Sequence, residues 1–466
     1  MTPTEKLDSS FKDPSGFVVR RGGEFWRVVQ PVYREHYETL MQSGLYQMLV
    51  EEQLLIPHEE KPDSLAEFAG AWKILRPRQL GFISYPYEWS FSQLKDAALV
   101  TLRIQKLAVA HGLSLKDATA FNIQFVDGRP MLIDTLSFEK LPAGRPWVAY
   151  AQFCRHFLAP LALIAYRDAR LGQLARVHLD GVPLDLASAL LPWGTRRHLW
   201  LLVHLHLHAG SQKRFAERSA DRSGAVRNYS LNSLRGLLDS LETAVNKLRW
   251  SPPKSVWGNY YDETVTGGRY VEDKKKWVAE YLRAARPASV WDLGSNTGAF
   301  SRLAAAQGVP TLSFDVDPDC VEINYLKGRK KGEKNLLPLL LDLTNPSPAL
   351  GWAQAERMSW MERGQPDLVL ALAVVHHLAI GHNLPLDRLA DFFRGLGRWL
   401  IIEFVPKNDP NAQKLLRVRE DIFMDYSREN FEREFAKSFV IERSQTVQDS
   451  ERVLYLMRRK EAGVSA

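Results

Sequence analysis

From Ala288 onward the chain repeats one pattern: a short apolar run, then an acid or a small-residue loop, then a helical stretch. The runs are "SVWDLG", "TLSFDVD", "LLPLLLD", "DLVLALAVV" and "WLIIEFV". Strands this short and this continuously apolar must be covered on both faces, and strands that alternate with helices pair in parallel. The pattern therefore predicts a doubly wound α/β sheet with its ligand crevice beyond the carboxyl ends of the strands. The last stretch, "SFVIERSQTVQDSERVLYLMRR", reads as two more strands joined by a polar loop.

The ends of the first three runs carry the chemistry. In "SVWDLGSNTGAFSRLAA" a strand ends in Asp292 and enters a helix through small residues. Gly294 and Gly298 allow the backbone to approach a ligand closely, Asn296 tolerates the left-handed conformation, and the helix start favours a ligand carboxylate. Asp315 ends the second run, where a carboxylate can take both hydroxyls of a ribose, and Asp342 ends the third, within reach of an adenine amine. In this order, across Trp257 to Arg459, these residues resemble the class I S-adenosylmethionine-dependent methyltransferases. The resemblance implies a Rossmann-like domain with a seven-stranded sheet and S-adenosyl-L-methionine as cofactor. The G-x-G-x-x-G of dinucleotide oxidoreductases is absent.

The fourth run leads into "VVHHLAI", so His376 and His377 should face the methyl acceptor, either of them as a base with an ordinary pKa of ~6.5. Glu403, ending "LIIEFVP", is a candidate to orient a histidine or to touch the acceptor. Upstream, Tyr260 or Tyr261 of "SVWGNYYDETVTGG" could close over the cofactor. No "NPPY"-like or "DPPY"-like run follows the fourth strand, which counts against methylation of base amines.

The N-terminal half has a different grammar. "GFVVRRGGEFWRVV" predicts a hairpin about Gly22-Gly23, a helix follows over Tyr33 to Glu52, and extended segments fall at Trp72 to Leu75 and Gly81 to Tyr85. "LKDAALVTLRIQKLAVAHG" is a long helix stopped by Gly112, and "NIQFVDGRPMLID" is a second hairpin about Asp127-Gly128. Trp147 to His208 is helical and rich in aromatics. The spacing Asp117-x-x-x-x-Asn122, with Asp134 ending "LID", resembles the protein-kinase and aminoglycoside-phosphotransferase superfamily. That resemblance implies an acid that orients an acceptor hydroxyl at Asp117, and Asn122 and Asp134 as holders of magnesium beside ATP. The upstream support is thinner. No glycine-rich phosphate loop precedes the first hairpin, and Arg27 stands where a lysine is expected, with Glu38 or Glu51 as partners. We therefore expect an α+β kinase-like domain with a truncated small lobe, a degenerate pseudokinase that binds acceptor or nucleotide.

Over the whole chain, "SYPYEWSF", "LKDATAFNIQF" and "HHLAIGHNLPLDRL" also resemble the bacterial methyltransferases of the NoeA-like nodulation-protein type. The expected layout is a polar arm over 1–16, a kinase-like domain over 17–209, a mobile loop, helix and linker over 210–256, and the methyltransferase domain over 257–466. Two domains are in any case required, since 466 residues exceed what one core supports, about 250–300. A bifunctional kinase-methyltransferase and a non-catalytic scaffold on both folds are the competing readings.

Bulk properties narrow the partners. A net charge of +7 leans toward an acidic acceptor, a glycan or a lipid, more than toward nucleic acid, because the basic residues are scattered. Their one dense run, "LKGRKKGEKN", reads as a solvated loop. No run reaches the ~18 apolar residues of a membrane span, so peripheral association is the most a membrane would offer. With two cysteines, Cys154 and Cys320, and a polar start, a cytoplasmic location is expected. The histidines of "HLWLLVHLHLHAG" lack neighbouring carboxylates and read as the polar face of a helix, not as metal ligands.

Overall fold

Two units emerge from the computed structural model, which describes residues 4–62, 68, 70–207, 229–252, 268–417 and 420–461. One comprises Met1–Ser251 with Pro348–Met358, the other Pro252–Ser347 with Ser359–Ala466. The expected mobile loop, the linker and the domain start at 257 fall outside the described residues.

The first unit is built on the predicted hairpin. Strands β2 (Gly16–Arg21) and β3 (Glu24–Val29) pair in antiparallel register, from Gly16 opposite Val29 to Arg21 opposite Glu24. Gly22 and Gly23 turn between them at φ of 57° and 84°, the left-handed pair that matches strand twist. Three further strands, β1 (Thr4–Lys6), β4 (His58–Glu60) and β5 (Lys73–Pro77), complete a five-stranded antiparallel sheet in the order β1-β2-β3-β5-β4. The sheet is thus larger than the one hairpin and the extended segments foretold, and part of the expected polar arm, Thr4–Lys6, is a strand. Both strands that escaped sequence reading are three-residue edges, "TEK" and "HEE", with mostly exposed polar side chains and no apolar alternation.

The predicted helix after β3 is two helices, Arg34–Gln42 and Leu45–Glu51, broken at Gly44 with φ of 76°. Their inner face seats Tyr33 and Tyr37 against Val29, Leu75 and Leu136. The long helix runs Phe91–Ala110 and stops at Gly112, φ 73°. Short strands β6 (Leu113–Leu115) and β9 (Phe138–Lys140) pair across the hairpin of β7 (Ile123–Val126) and β8 (Arg129–Leu132), whose Asp127-Gly128 turn is also left-handed, φ 51° and 77°.

Gly81 to Tyr85, expected to be extended, belongs to no strand. A side chain replaces the missing neighbour. Buried Gln124 accepts the Ser84 amide through Oε1 at 2.8 Å and donates through Nε2 to the Ser84 carbonyl at 2.8 Å. Pro348–Met358 is a small loop of this unit, closed by reciprocal backbone hydrogen bonds between Leu350 and Arg357, with the Met358 amide donating to the Tyr85 hydroxyl at 3.0 Å.

The second unit is the predicted α/β sheet. Its strands are β10 (Val290–Leu293), β11 (Thr311–Asp315), β12 (Leu336–Leu340), β13 (Leu368–Ala371), β14 (Trp399–Phe404), β15 (Phe439–Thr446) and β16 (Val453–Arg459). They lie in the order β12-β11-β10-β13-β14-β16-β15, with β10 to β14 parallel and β16 antiparallel to β14. Numbered within the unit this is 3-2-1-4-5-7-6, the Rossmann-like seven-stranded arrangement that the strand-end motifs imply. All four residues of β10 and of β13 are buried, as central strands covered on both faces must be.

Helix Leu386–Leu396 buries Leu386, Leu389, Ala390, Phe393 and Leu396, one stripe at helical spacing. The basic run "LKGRKKGEKN", expected as a loop, lies mostly in the end of helix Pro318–Lys331, with Arg329, Lys330 and Lys331 in its last turn, which Gly332 closes at φ 64°. Lysines and arginine there face the negative end of the helix dipole. Among the described residues no helix is long and apolar enough to cross a membrane.

Replacing Gln124 by alanine would strand the amide and carbonyl of Ser84 in the core. We expect a loss of about 2–4 kcal/mol in chemical denaturation, from two buried backbone groups left unpaired.

Candidate functional sites

The loop after β10 is shaped by close packing. Gly294 and Gly298 both take φ of 76°. A Cβ on Gly294 would lie 2.5 Å from Val374 Cγ2, and one on Gly298 would lie 2.4 Å from the Asn324 side-chain oxygen. Their first necessity is therefore packing against protein. Asn296 is left-handed as expected, φ 53°. Its amide donates to Asp315 Oδ2 at 2.7 Å, and the Asp317 amide donates to Asp315 Oδ1 at 2.9 Å. Burial pushes the Asp315 carboxyl up to about 6 against these two donors and the Val316 amide.

Asp292 lies deeper. Its Oδ2 accepts the Ser301 hydroxyl at 2.6 Å, and burial pushes its carboxyl up to about 7. Around Ser301 runs a seam of small polar side chains: the Ser313 hydroxyl donates to Ser295 Oγ at 2.7 Å, and Asn324 Nδ2 donates to Ser313 at 2.8 Å. Sequence reading passed over this seam, although a serine inside the apolar run "TLSFD" was its sign. The helix entered from the loop spans only Ser301–Ala305, so the dipole expected to favour a ligand carboxylate is short. Asp342, two residues past β12 and exposed, accepts the amide and hydroxyl of Thr344 on Oδ1 at 2.8 and 2.6 Å. Tyr261, with Tyr260, lies outside the described residues.

The two histidines are separated by environment. His376 is fully buried, neither ring nitrogen has a hydrogen-bond partner, and burial holds its pKa far below the ordinary value. His377 is half-buried, its ring tilted 40° against that of His376 with centroids 4.2 Å apart, and its pKa is lowered by burial and by His382 and Arg452.

Glu403 cannot serve a histidine. Its Oε2 accepts Lys274 Nζ at 2.6 Å and its Oε1 accepts the Tyr270 hydroxyl at 2.8 Å, with Glu403 and Lys274 both buried. Tyr270 also accepts Arg452 Nη1 at 3.0 Å, and Arg452 forms two bonds to Asp409 at 2.7 and 2.9 Å. Burial alone would raise the Glu403 carboxyl; Lys274 and Arg452 hold it below the ordinary range. The expected acceptor contact is thus one end of a buried charge network. Lys274 sits inside the charged run "EDKKKW" and Arg452 in "DSERVL", where nothing in the sequence singles them out.

In the first unit the expected residues do come together. Asn122 Nδ2 lies 3.1 Å from both Asp117 Oδ2 and Ser137 Oγ; the Ser137 hydroxyl donates to Asp134 Oδ2 at 3.0 Å; and Arg27 of β3 pairs with Asp134 Oδ1 at 3.0 Å. Gln152 donates to Asp117 at 2.8 Å, while burial and the neighbouring Asp134 raise the Asp117 carboxyl. Lys116 reaches up to the β1–β2 loop, at 2.6 Å from Ser15 Oγ and 3.6 Å from Asp13. Glu38 and Glu51 do not meet Arg27; they pair with Arg34 and Gln47 on their own helices.

The donor set does not suit magnesium at Asn122 and Asp134. A guanidinium holds one Asp134 oxygen, a hydroxyl the other, and Asn122 turns its amide nitrogen, not its oxygen, into the network. Among the described residues no group of three or more His, Cys, Asp or Glu side chains is placed to hold a metal. His204 is satisfied by Tyr150 and Ser240 at 2.9 and 2.8 Å, and His206 by Ser188 and Thr195 at 2.7 and 3.0 Å; both are buried, where a polar helix face was expected.

No family model matches the chain. It is 34% identical over 465 residues to the nodulation protein NoeA of Rhizobium meliloti (strain 1021), covering 98% of this chain and 96% of that one. Among solved structures, WbdD aligns with a TM-score of 0.30 at 16% identity, over 42% of this chain and 40% of its own. Magnesium protoporphyrin IX methyltransferase from Synechocystis PCC 6803, solved with bound SAH, aligns with a TM-score of 0.31 at 17% identity, over 44% and 93%.

Substituting Lys274 by methionine would leave the Glu403 carboxylate buried without its cation. We expect a loss of about 3–5 kcal/mol, measured by denaturant unfolding, the usual cost of breaking one side of a buried pair.

Proposed function

The chain belongs to the NoeA family of nodulation proteins, and from that premise we propose that it is an S-adenosylmethionine-dependent methyltransferase. The acceptor is an oxygen or another nucleophile on a glycan, a lipid or a small molecule. The observation that carries this reading is the Asp315 carboxylate at the end of β11, oriented by two backbone amides beside a left-handed loop. A carboxylate held from behind by N–H donors keeps lone pairs for the two hydroxyls of a ribose. The donor set fits the rest of the cofactor as well: Asp342 has Oδ2 for an adenine amine, and the loop 294–298 lies at the sheet's switch point between β10 and β13.

S-adenosylmethionine supplies a methyl group that its sulfonium charge already activates. The protein then has to place the acceptor and take up its proton. His377 is the base in this reading, since it is the half-buried member of the pair and its lowered pKa keeps it neutral near pH 7. His376, fully buried, packs against that ring at a 40° tilt.

The first unit is a kinase-like module that has lost phosphotransfer and binds acceptor or nucleotide. Its five-stranded antiparallel sheet, the helices after β3 and the Asp117–Asn122–Asp134 cluster support the kinase-like reading. The Arg27–Asp134 ion pair where a magnesium would be held supports the loss.

Titration calorimetry is expected to detect S-adenosylmethionine binding to the wild type and none to Asp315→Ala; equal binding by both would sink the assignment. Because Asp315 must be ionised to accept ribose hydroxyls and its carboxyl is pushed up to about 6, affinity should fall as pH drops through that value. It should be about tenfold weaker at pH 5 than at pH 8.

Thermal-shift titration with ATP and magnesium should give the same response in wild type and in Asp134→Ala. A wild-type stabilisation lost in the variant would show an Asp134-dependent ATP–magnesium site and overturn the loss of that site.

A further inference from the structure

Beside the Asp117–Asn122 loop the first unit holds two arginines that form no ion pair with an acid among the described residues. Arg155 follows Cys154 in the helical stretch after Ala149; its carbonyl accepts the Val182 amide, and its guanidinium has no hydrogen bond or ion pair among the described residues. Arg357 belongs to the loop Pro348–Met358 and lays its guanidinium over the Phe121 ring, 4.2 Å from the centroid. The guanidinium's one hydrogen bond among the described residues is from Nη1 to the neighbouring Glu356 carbonyl, at 2.7 Å. In both residues the Nε is buried and lacks an acceptor. The acid next in sequence, Glu356, is already engaged by Lys12 Nζ at 2.8 Å and by the Trp352 amide at 2.9 Å.

A third group joins them. His156 is buried edge-on to Phe121, ring centroids 6.1 Å apart, with the Thr119 hydroxyl 3.4 Å from its Nε2. Burial, then the charges of Arg357 and Arg155, push His156 down to about 3, so it stays neutral and both guanidiniums lie close enough to act on it.

An unpaired donor on a half-buried guanidinium costs more than an ordinary lost hydrogen bond, since the charge is partly stripped of water with nothing to replace it. An arginine fork is satisfied best by a planar carboxylate or a phosphate, through two parallel bonds. Two forks together carry the charge that a phosphate monoester balances, about −2 near neutral pH.

We propose that Arg155 and Arg357, with His156 and Thr119, form an anion subsite that takes the phosphoryl group of a phosphorylated ligand next to Asp117. The ligand is a phosphorylated sugar or a nucleotide, which share this chemistry. Without a magnesium site, direct arginine contacts are the means left to hold a phosphate here. The subsite does not depend on methyl transfer and is testable without S-adenosylmethionine.

The test uses the full chain in thermal-shift titrations at constant ionic strength, with inorganic phosphate, glucose 1-phosphate, magnesium-free ATP and acetate. Wild type should be stabilised saturably by phosphate and not by acetate. Arg155→Gln and Arg357→Gln should each weaken that response at least tenfold, while Arg196→Gln, on an exposed turn, should match wild type. Glucose 1-phosphate binding more tightly than phosphate identifies a sugar ligand, and ATP doing so identifies a nucleotide. No saturable phosphate response, an equal response in both glutamine variants, or acetate matching phosphate would each overturn the proposal. Should a glutamine variant fail to fold, Arg357→Lys keeps the charge without the fork; unchanged phosphate affinity there counts against it and a severalfold loss supports it.

Discussion

The hydrogen bond from the Asn296 amide to the Asp315 carboxylate, 2.7 Å long, holds the α/β unit's functional end together. It ties the loop leaving the first strand to the tip of the second, and it is possible only because Asn296 turns left-handed at φ 53°. The flanking glycines then follow, since any side chain at Gly294 or Gly298 would collide with Val374 or Asn324. The strand ends therefore present a carboxylate whose direction is set by backbone, the least mobile donor a protein has.

Each unit commits its buried charges to structure before chemistry. In the second, Lys274, Glu403, Tyr270, Arg452 and Asp409 form one chain of contacts linking helix Gly268–Ala285 to the segments after β14 and before β16. In the first, Arg27, Asp134, Ser137, Asn122 and Asp117 do the same for β3 and the hairpin region. Buried pairs of this kind add little net stability but make one arrangement far cheaper than its alternatives. They also occupy acids that strand-end position alone would single out: Glu403 is held by Lys274 and Asp134 by Arg27.

The legible parts of the chain were those with a local signature. Two left-handed hairpin turns, the stop at Gly112, the apolar parallel strands and the acids at their ends could each be read from a handful of neighbouring residues. The failures share a cause as well. Edge strands such as Thr4–Lys6 have no buried face to mark them. Ser84 is paired by the side chain of Gln124, forty residues on, so its extended pattern found no strand partner. Arg357 stands in a stretch read as part of the α/β domain, yet its guanidinium covers a phenylalanine of the first unit.

By itself, then, the sequence determined the parallel α/β sheet, the three carboxylates at its strand ends and the Asp117…Asn122…Asp134 spacing, because periodicity and turn chemistry are properties of adjacent residues. Tertiary structure alone decided which of those groups remain available. Asp315 keeps its lone pairs, Glu403 is neutralised by Lys274, Asp134 by Arg27, and His376 is sealed where His377 is not. Burial and ion pairing depend on residues brought together from far along the chain, and no local pattern encodes them.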